Sequence, residues 1–167
     1  TLAQTHLQLM NDLWLAIDRN ELRLLYQPKF HAPAGPVLGF EALLRWQHPK
    51  LGLLTPDLFL PLAEKTGQII PIGNWVINEA CRQLREWHLK GHQNWSMAVN
   101  LSTLQFEQPS LVKTVLDCLT RHNVPPEMLI LEVTETTAMS NPDESVRVLT
   151  ELTDAGVKAS IDDFGTG

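Results

Sequence analysis

Four carboxylates and one carboxamide recur here at intervals that would let them share a divalent cation: Glu41, Asn100, Glu132, Asp162 and Asp163. Each lies in a short apolar, strand-like run: GFEALLRW (39–46), SMAVNLS (96–102), LILEVTE (129–135) and KASIDDFG (158–165). Side chains alternate between the two faces of a strand. Glu41, Leu43 and Arg45 therefore share one face, and Phe40, Ala42, Leu44 and Trp46 the other. The same alternation sets Asn100 with Ala98 and Ser102, Glu132 with Ile130 and Thr134, and Asp162 with Ser160. The opposite faces carry Met97, Val99 and Leu101, then Leu131 and Val133, then Ala159 and Ile161, and are apolar enough to pack against helices.

Each run thus aims one oxygen ligand away from its apolar face. An oxygen-only set suits Mg²⁺ or Mn²⁺. Carboxylates this close raise one another's pKa unless a cation neutralises them. Two ions would match a displacement at phosphorus, and Arg45, beside Glu41, could grip a phosphate with both guanidinium arms. Each piece also has a plainer reading. Glu41 and Arg45 could form a structural ion pair, Asn100 could be a satisfied buried amide, and Asp162–Asp163 could be a turn or cap. Matched parity on successive strands is what favours a site.

Strands and helices must alternate to place these residues. Leu2, Leu7, Leu9, Met10, Leu13, Trp14 and Ile17 predict an amphipathic helix over 2–19. LRLLYQPKF (22–30) reads as a strand ending near its proline, and the Pro- and Gly-punctuated 47–56 as a loop. Asp57 is the expected N-cap of a helix through Lys65, and a second helix is expected over 72–90, stopped by Gly91. Further helices are expected over 109–122 and, opened by Asn141–Pro142, over 142–155. Glu132 follows Asn100 by 32 residues and precedes Asp162 by 30. That is the length of one strand–helix unit of an eight-unit barrel of about 250 residues, whose active sites lie at the C-terminal strand ends.

Composition removes several classes. With 167 residues, 44% hydrophobic and 19% charged, the chain can bury a core and has no disordered signature. A net charge of −6 argues against binding DNA through a bulk field. Apolar runs fall well short of the roughly 18 residues that suggest a membrane span, so no direct membrane insertion by this segment is expected. The expected location is cytoplasmic, or the cytoplasmic part of a larger membrane-anchored protein. Cys81 and Cys118 lack CxxC partners and read as buried reduced thiols. The sequons at Asn94 and Asn100 read as chance matches. His88 and His92 have ligand spacing, but Gly91 breaks the helix between them. Trp75 and Trp87 read as helix packing.

GFEALLRW resembles the signature of the EAL family of cyclic di-GMP phosphodiesterases, with Glu41-Ala42-Leu43 as the signature itself. LLYQPKF, RWQHPKLGLLTPDLFLPLAEKTGQI, VNLS, LEVTE and IDDFGTG extend the likeness from about residue 20 to residue 167. The resemblance implies an α/β fold, a (β/α)8 TIM-barrel-like EAL fold with an antiparallel first strand, of which the first five strands lie in this chain. It implies an N-terminal linker-type helix over 1–20 and an EAL domain over 21–167. The implied reaction is hydrolysis of cyclic di-GMP to linear pGpG with two Mg²⁺ or Mn²⁺ ions. Glu41, Asn100, Glu132, Asp162 and Asp163 are then metal ligands, with Glu41, Asp162 and Asp163 catalytic. Arg45 contacts a substrate phosphate, Gln27 and Leu43 line the nucleotide site, and Glu135 supports the loop starting at Asp163. A homodimer and a fused or adjacent GGDEF or sensor domain are the implied partners. The family continues beyond DDFGTG with strands bearing a lysine, a glutamate and a glutamine, so residues 1–167 alone are not expected to be a competent hydrolase. Two other readings stand: a catalytically inactive, truncated EAL domain that binds cyclic di-GMP or a protein partner, and a different two-metal phosphoesterase on a barrel.

Overall fold

The computed structural model of the protein describes residues 2–30 and 32–162. Asp163 and the loop expected after it lie outside the described residues. Helix α1 (Leu2–Ala16) leads into β1 (Leu22–Phe30), which pairs antiparallel with β2 (Val37–His48). A short strand β3 (Gly52–Leu54) folds back on the end of β2. Helices α2 (Pro56–Thr66) and α3 (Ile69–Leu89) follow. Next come β4 (Ser96–Asn100), α4 (Thr103–Phe106), α5 (Leu111–His122), β5 (Leu129–Thr134), α6 (Glu135–Met139), α7 (Pro142–Asp154) and β6 (Lys158–Asp162). The sheet runs β1-β2-β4-β5-β6, antiparallel at its first pair and parallel thereafter, with β3 paired to β2.

The core lies on the apolar face of this sheet. Ala42 and Trp46 of β2, Met97 and Val99 of β4, and Leu129, Leu131 and Val133 of β5 are buried there with Ile77, Ala80, Cys81 and Leu84 of α3 and Val115, Cys118 and Leu119 of α5. The outward residues expected from alternation are buried on this face or, like Phe40, Leu44 and Ala159, half-buried. Ile161 of β6 is the exception at 46% exposed, because it sits near the end of the edge strand. Leu9, Leu13 and Ala16 of α1 join the same core. Phe40 packs against Trp87 at 4.5 Å between ring centroids, with Tyr26 and Trp95 closing the cluster, so Trp87 is a packing residue as expected.

Two glycines sit where a side chain would not fit. A Cβ on Gly39 would lie 2.4 Å from the Ser96 carbonyl oxygen of the neighbouring strand. One on Gly73 of α3 would lie 1.7 Å from the Gln105 amide nitrogen. The first lets β4 register against β2; the second lets α4 lie down on α3.

Several expected boundaries move. The loop expected over 47–56 contains β3, whose reversal uses Gly52 at φ 80° and is stitched by the His48 ring, which accepts the Lys50 and Leu51 amides at 3.1 Å each. The N-cap of α2 is Thr55 rather than Asp57. Pro56, preset for the first helical position, moves the start upstream, and Asp57 sits in the first turn, where it favours the helix dipole. Helix α3 starts at Ile69, three residues before the expected Ile72, because Gly67 at φ 80° ends α2 and lets the chain restart at once. The strand expected through Ser102 stops at Asn100, and the one expected through Glu135 stops at Thr134, since Ser102 and Thr134 cap α4 and α6.

Candidate functional site

The unpacked face of the sheet gathers the expected polar residues. The register sets Gln27 of β1 opposite Glu41 of β2, Glu41 opposite Ala98 of β4, Asn100 opposite Glu132 of β5, and Thr134 opposite Asp162 of β6. These rows put Gln27, Glu41, Leu43, Arg45, Asn100, Glu132 and Asp162 on one face, as alternation predicts.

Contacts tighten part of that set. The Asn100 side-chain amide donates to Glu41 Oε2 at 3.2 Å. The Glu132 side chain is only 13% exposed, and its Oε1 is buried with no hydrogen-bond partner. Burial raises the Glu132 carboxyl above its ordinary value; the charges of Glu41 and Asp162 push the same way, and Lys29 opposes them. Lys29, which sequence reasoning passed over, places its ammonium 3.9 Å from Glu41 Oε1 and 3.8 Å from Glu132 Oε1. Strands β1 and β5 are three spacings apart in the sheet order, roughly 14 Å in a flat sheet. Lys29 reaches Glu132 because the sheet curls toward a barrel. The signal that could have found it is parity: Lys29 is two residues past Gln27 on the same face of β1.

Arg45 does not pair with Glu41. Its guanidinium donates to the Leu44 carbonyl at 2.8 Å, and it lines a cavity of about 300 Å³ with Leu43, Glu64, Asn100, Ser102 and Gln105 at the C-terminal ends of β2 and β4. The turn behind Asn100 is rigidly built. Ser102 Oγ accepts the Gln105 amide, and the Gln105 side chain accepts the Ser102 amide in return, closing a capping box. Thr103 and Thr134 each bond the buried Thr137 hydroxyl, tying this turn to the end of β5. Glu135 opens α6 on the surface beside it.

Does this set fit a hard cation? The donors are all oxygen, a buried carboxylate oxygen is unpartnered, and a lysine already lends the pair its positive charge; all three favour a divalent ion. Among the described residues, no three His, Cys, Asp or Glu side chains yet converge on one point. Elsewhere, His88 bonds the Trp95 carbonyl at 2.9 Å and His92 stacks on Trp95, so this pair is structural. Cys81 and Cys118 are free and buried, and burial pushes the Cys81 thiol up to about 12. No described helix is long and apolar enough to cross a membrane.

Known proteins are similar to this chain in sequence and fold. The profile of the EAL domain matches residues 10–167. The chain is 58% identical over 165 residues to the bifunctional diguanylate cyclase/cyclic di-GMP phosphodiesterase MucR of Pseudomonas aeruginosa, covering 99% of this chain and 24% of MucR. It is 42% identical to the cyclic di-GMP phosphodiesterase NbdA of the same organism, covering 99% of this chain and 21% of NbdA. The chain thus spans about a quarter of the length of these relatives. A solved structure of the MucR phosphodiesterase in complex with c-di-GMP superposes with a TM-score of 0.93 at 57% identity, covering 96% of this chain and 65% of that one. The curled mixed sheet is accordingly part of a (β/α)8 barrel-like fold, and the chain belongs to the EAL domain family.

Proposed function

We propose that this chain supplies the first strands of a cyclic di-GMP phosphodiesterase site that hydrolyses one phosphodiester to give linear pGpG. The observation that carries the reading is the inner-face cluster at the strand ends: Asn100 bonded to Glu41, the orphaned Glu132 oxygen beside them, and Arg45 directed elsewhere. The names of the MucR and NbdA relatives supply the substrate class.

In this reading Glu41, Asn100, Glu132 and Asp162, with Asp163 next in sequence, hold two Mg²⁺ or Mn²⁺ ions. When bound, the ions would polarise the phosphoryl oxygens and acidify the attacking water. The protein's own contribution is placement. Asn100 orients Glu41 through its amide. Arg45, which has no carboxylate partner among the described residues, receives a phosphate oxygen pair. Gln27 and Leu43, flanking Glu41 across and along the strands, contact the nucleotide, and Glu135 supports the loop expected from Asp163 onward. The cyclase half of the MucR name supports a GGDEF neighbour.

The test is turnover of cyclic di-GMP by the full-length protein with Mg²⁺, with Mn²⁺ and with chelator, the product resolved by chromatography. Metal-dependent release of pGpG supports the proposal; equal turnover with chelator refutes it. A second reading, cyclic di-GMP binding without hydrolysis, is favoured by the incomplete convergence of acidic groups among the described residues. Saturable binding with no turnover under any metal would select it.

A further inference from the structure

Among the described residues, Lys29 is the cation that stands between two candidate ligand carboxylates. Its ammonium stands 3.9 Å from Glu41 Oε1 and 3.8 Å from Glu132 Oε1, beyond hydrogen-bond length to either, and lies nearly midway. Glu132 Oε1 is otherwise buried and unpartnered. The register explains how a lysine gets there. Lys29 faces Gly39 across the β1–β2 pair, so no opposing side chain blocks its path along the sheet face. Gly39 must itself be glycine, because any Cβ would strike Ser96. The position that closes the strand pair therefore also opens the route for Lys29.

We infer that Lys29 is a positioning residue that serves as the resident counter-cation of Glu41 and Glu132 and competes with a divalent ion for them. The inference rests on the proposed metal site and adds a regulator to it. Without metal, the ammonium offsets repulsion between the two carboxylates and keeps them aimed inward. When a divalent ion enters, the lysine has to withdraw, or it repels the ion at close range. Metal affinity is then set partly by a side chain outside the ligand set. Lys29 is 41% exposed, so its flexible stem has room to withdraw.

The experiment titrates Mn²⁺ into the metal-free full-length protein near pH 8, by calorimetry, for wild type, Lys29→Met, Lys29→Gln and Lys29→Arg. Thermal melting of each is recorded with and without metal. Removing the ammonium is expected to tighten Mn²⁺ binding about tenfold, equivalent to about 1.4 kcal/mol. The metal-free melting temperature of Lys29→Met and Lys29→Gln should fall, and the rise on adding Mn²⁺ should grow. Lys29→Arg, which keeps the charge, should behave as wild type. Two neutral variants guard against one failing to fold. Equal or weaker Mn²⁺ affinity in both neutral variants overturns the competition. Tighter binding in Lys29→Arg as well overturns it too, since length rather than charge would then matter. If wild type and neutral variants alike bind no Mn²⁺, the metal-site reading fails, and the inference fails with it.

Discussion

Glu41 and Arg45, opposite charges on one face of β2, take different partners: Glu41 accepts from Asn100 and neighbours Lys29, while Arg45 bonds the Leu44 carbonyl beside a cavity. The ion-pair alternative left open by the sequence is thereby removed. If Arg45 receives a phosphate, Arg45→Ala should weaken cyclic di-GMP binding by about 2 kcal/mol, some thirtyfold in Kd. Arg45→Lys should recover only part of it, because an ammonium cannot present two parallel donors. Equilibrium binding of the nucleotide checks both. Gly39 is a stability residue: Gly39→Ala drives a methyl group into the Ser96 backbone and should cost about 1–3 kcal/mol in chemical denaturation. At this scale the sequence was legible wherever parity alone decides direction. Lys29 was missed although the strand was read over its full length, 22–30, because the alternation was not carried past Gln27 along it.

Among the elements, α1 is fastened to the sheet by side chains far apart in sequence. His48 Nδ1 accepts two backbone amides, which leaves Nε2 as the donor to Asp12 Oδ2 at 2.8 Å. His48→Ala would leave two amides without their acceptor and Asp12 with Gln8 alone, and should lower stability by about 2–3 kcal/mol. The Asp12 contribution carries a pH signature. The hydrogen bond from His48 is the main reason its carboxyl sits below the ordinary value, with Gln8 assisting and burial opposing. A carboxyl with a depressed folded pKa adds stability above its unfolded pKa of about 3.9 and loses it as pH falls through the lower folded value. The gap in unfolding free energy between wild type and Asp12→Asn should therefore be full at neutral pH and close below about pH 4. Denaturant titrations at several pH values read it directly. This latch was not legible, because no local pattern links residues 36 positions apart. Helix α4 was legible and overlooked: Ser102 and Gln105 spell the capping-box spacing. Gly73→Ala should unseat Gln105, break that box and disturb Asn100 without touching it; its effect on metal affinity should exceed that of a surface change such as Lys113→Ala.

At the scale of the molecule, alternation and spacing were enough to give the parallel order and the inward face, while the antiparallel first pair followed only from the resemblance to the EAL family. They could not give curvature, and curvature is what brings Lys29 of β1 to Glu132 of β5. They also could not give convergence of the carboxylates, because the distances between strand ends depend on packing of the outer helices on the apolar face. The central claim is that the inner-face cluster built around Glu41 performs hydrolysis rather than binding alone. It is tested most directly by measuring pGpG release and cyclic di-GMP binding side by side in the full-length protein and in Glu41→Ala with Mg²⁺. The account predicts that Glu41→Ala loses hydrolysis by at least about a hundredfold, the scale of removing one preorganised electrostatic group, with the fold intact. Undiminished pGpG release by the folded variant would contradict it.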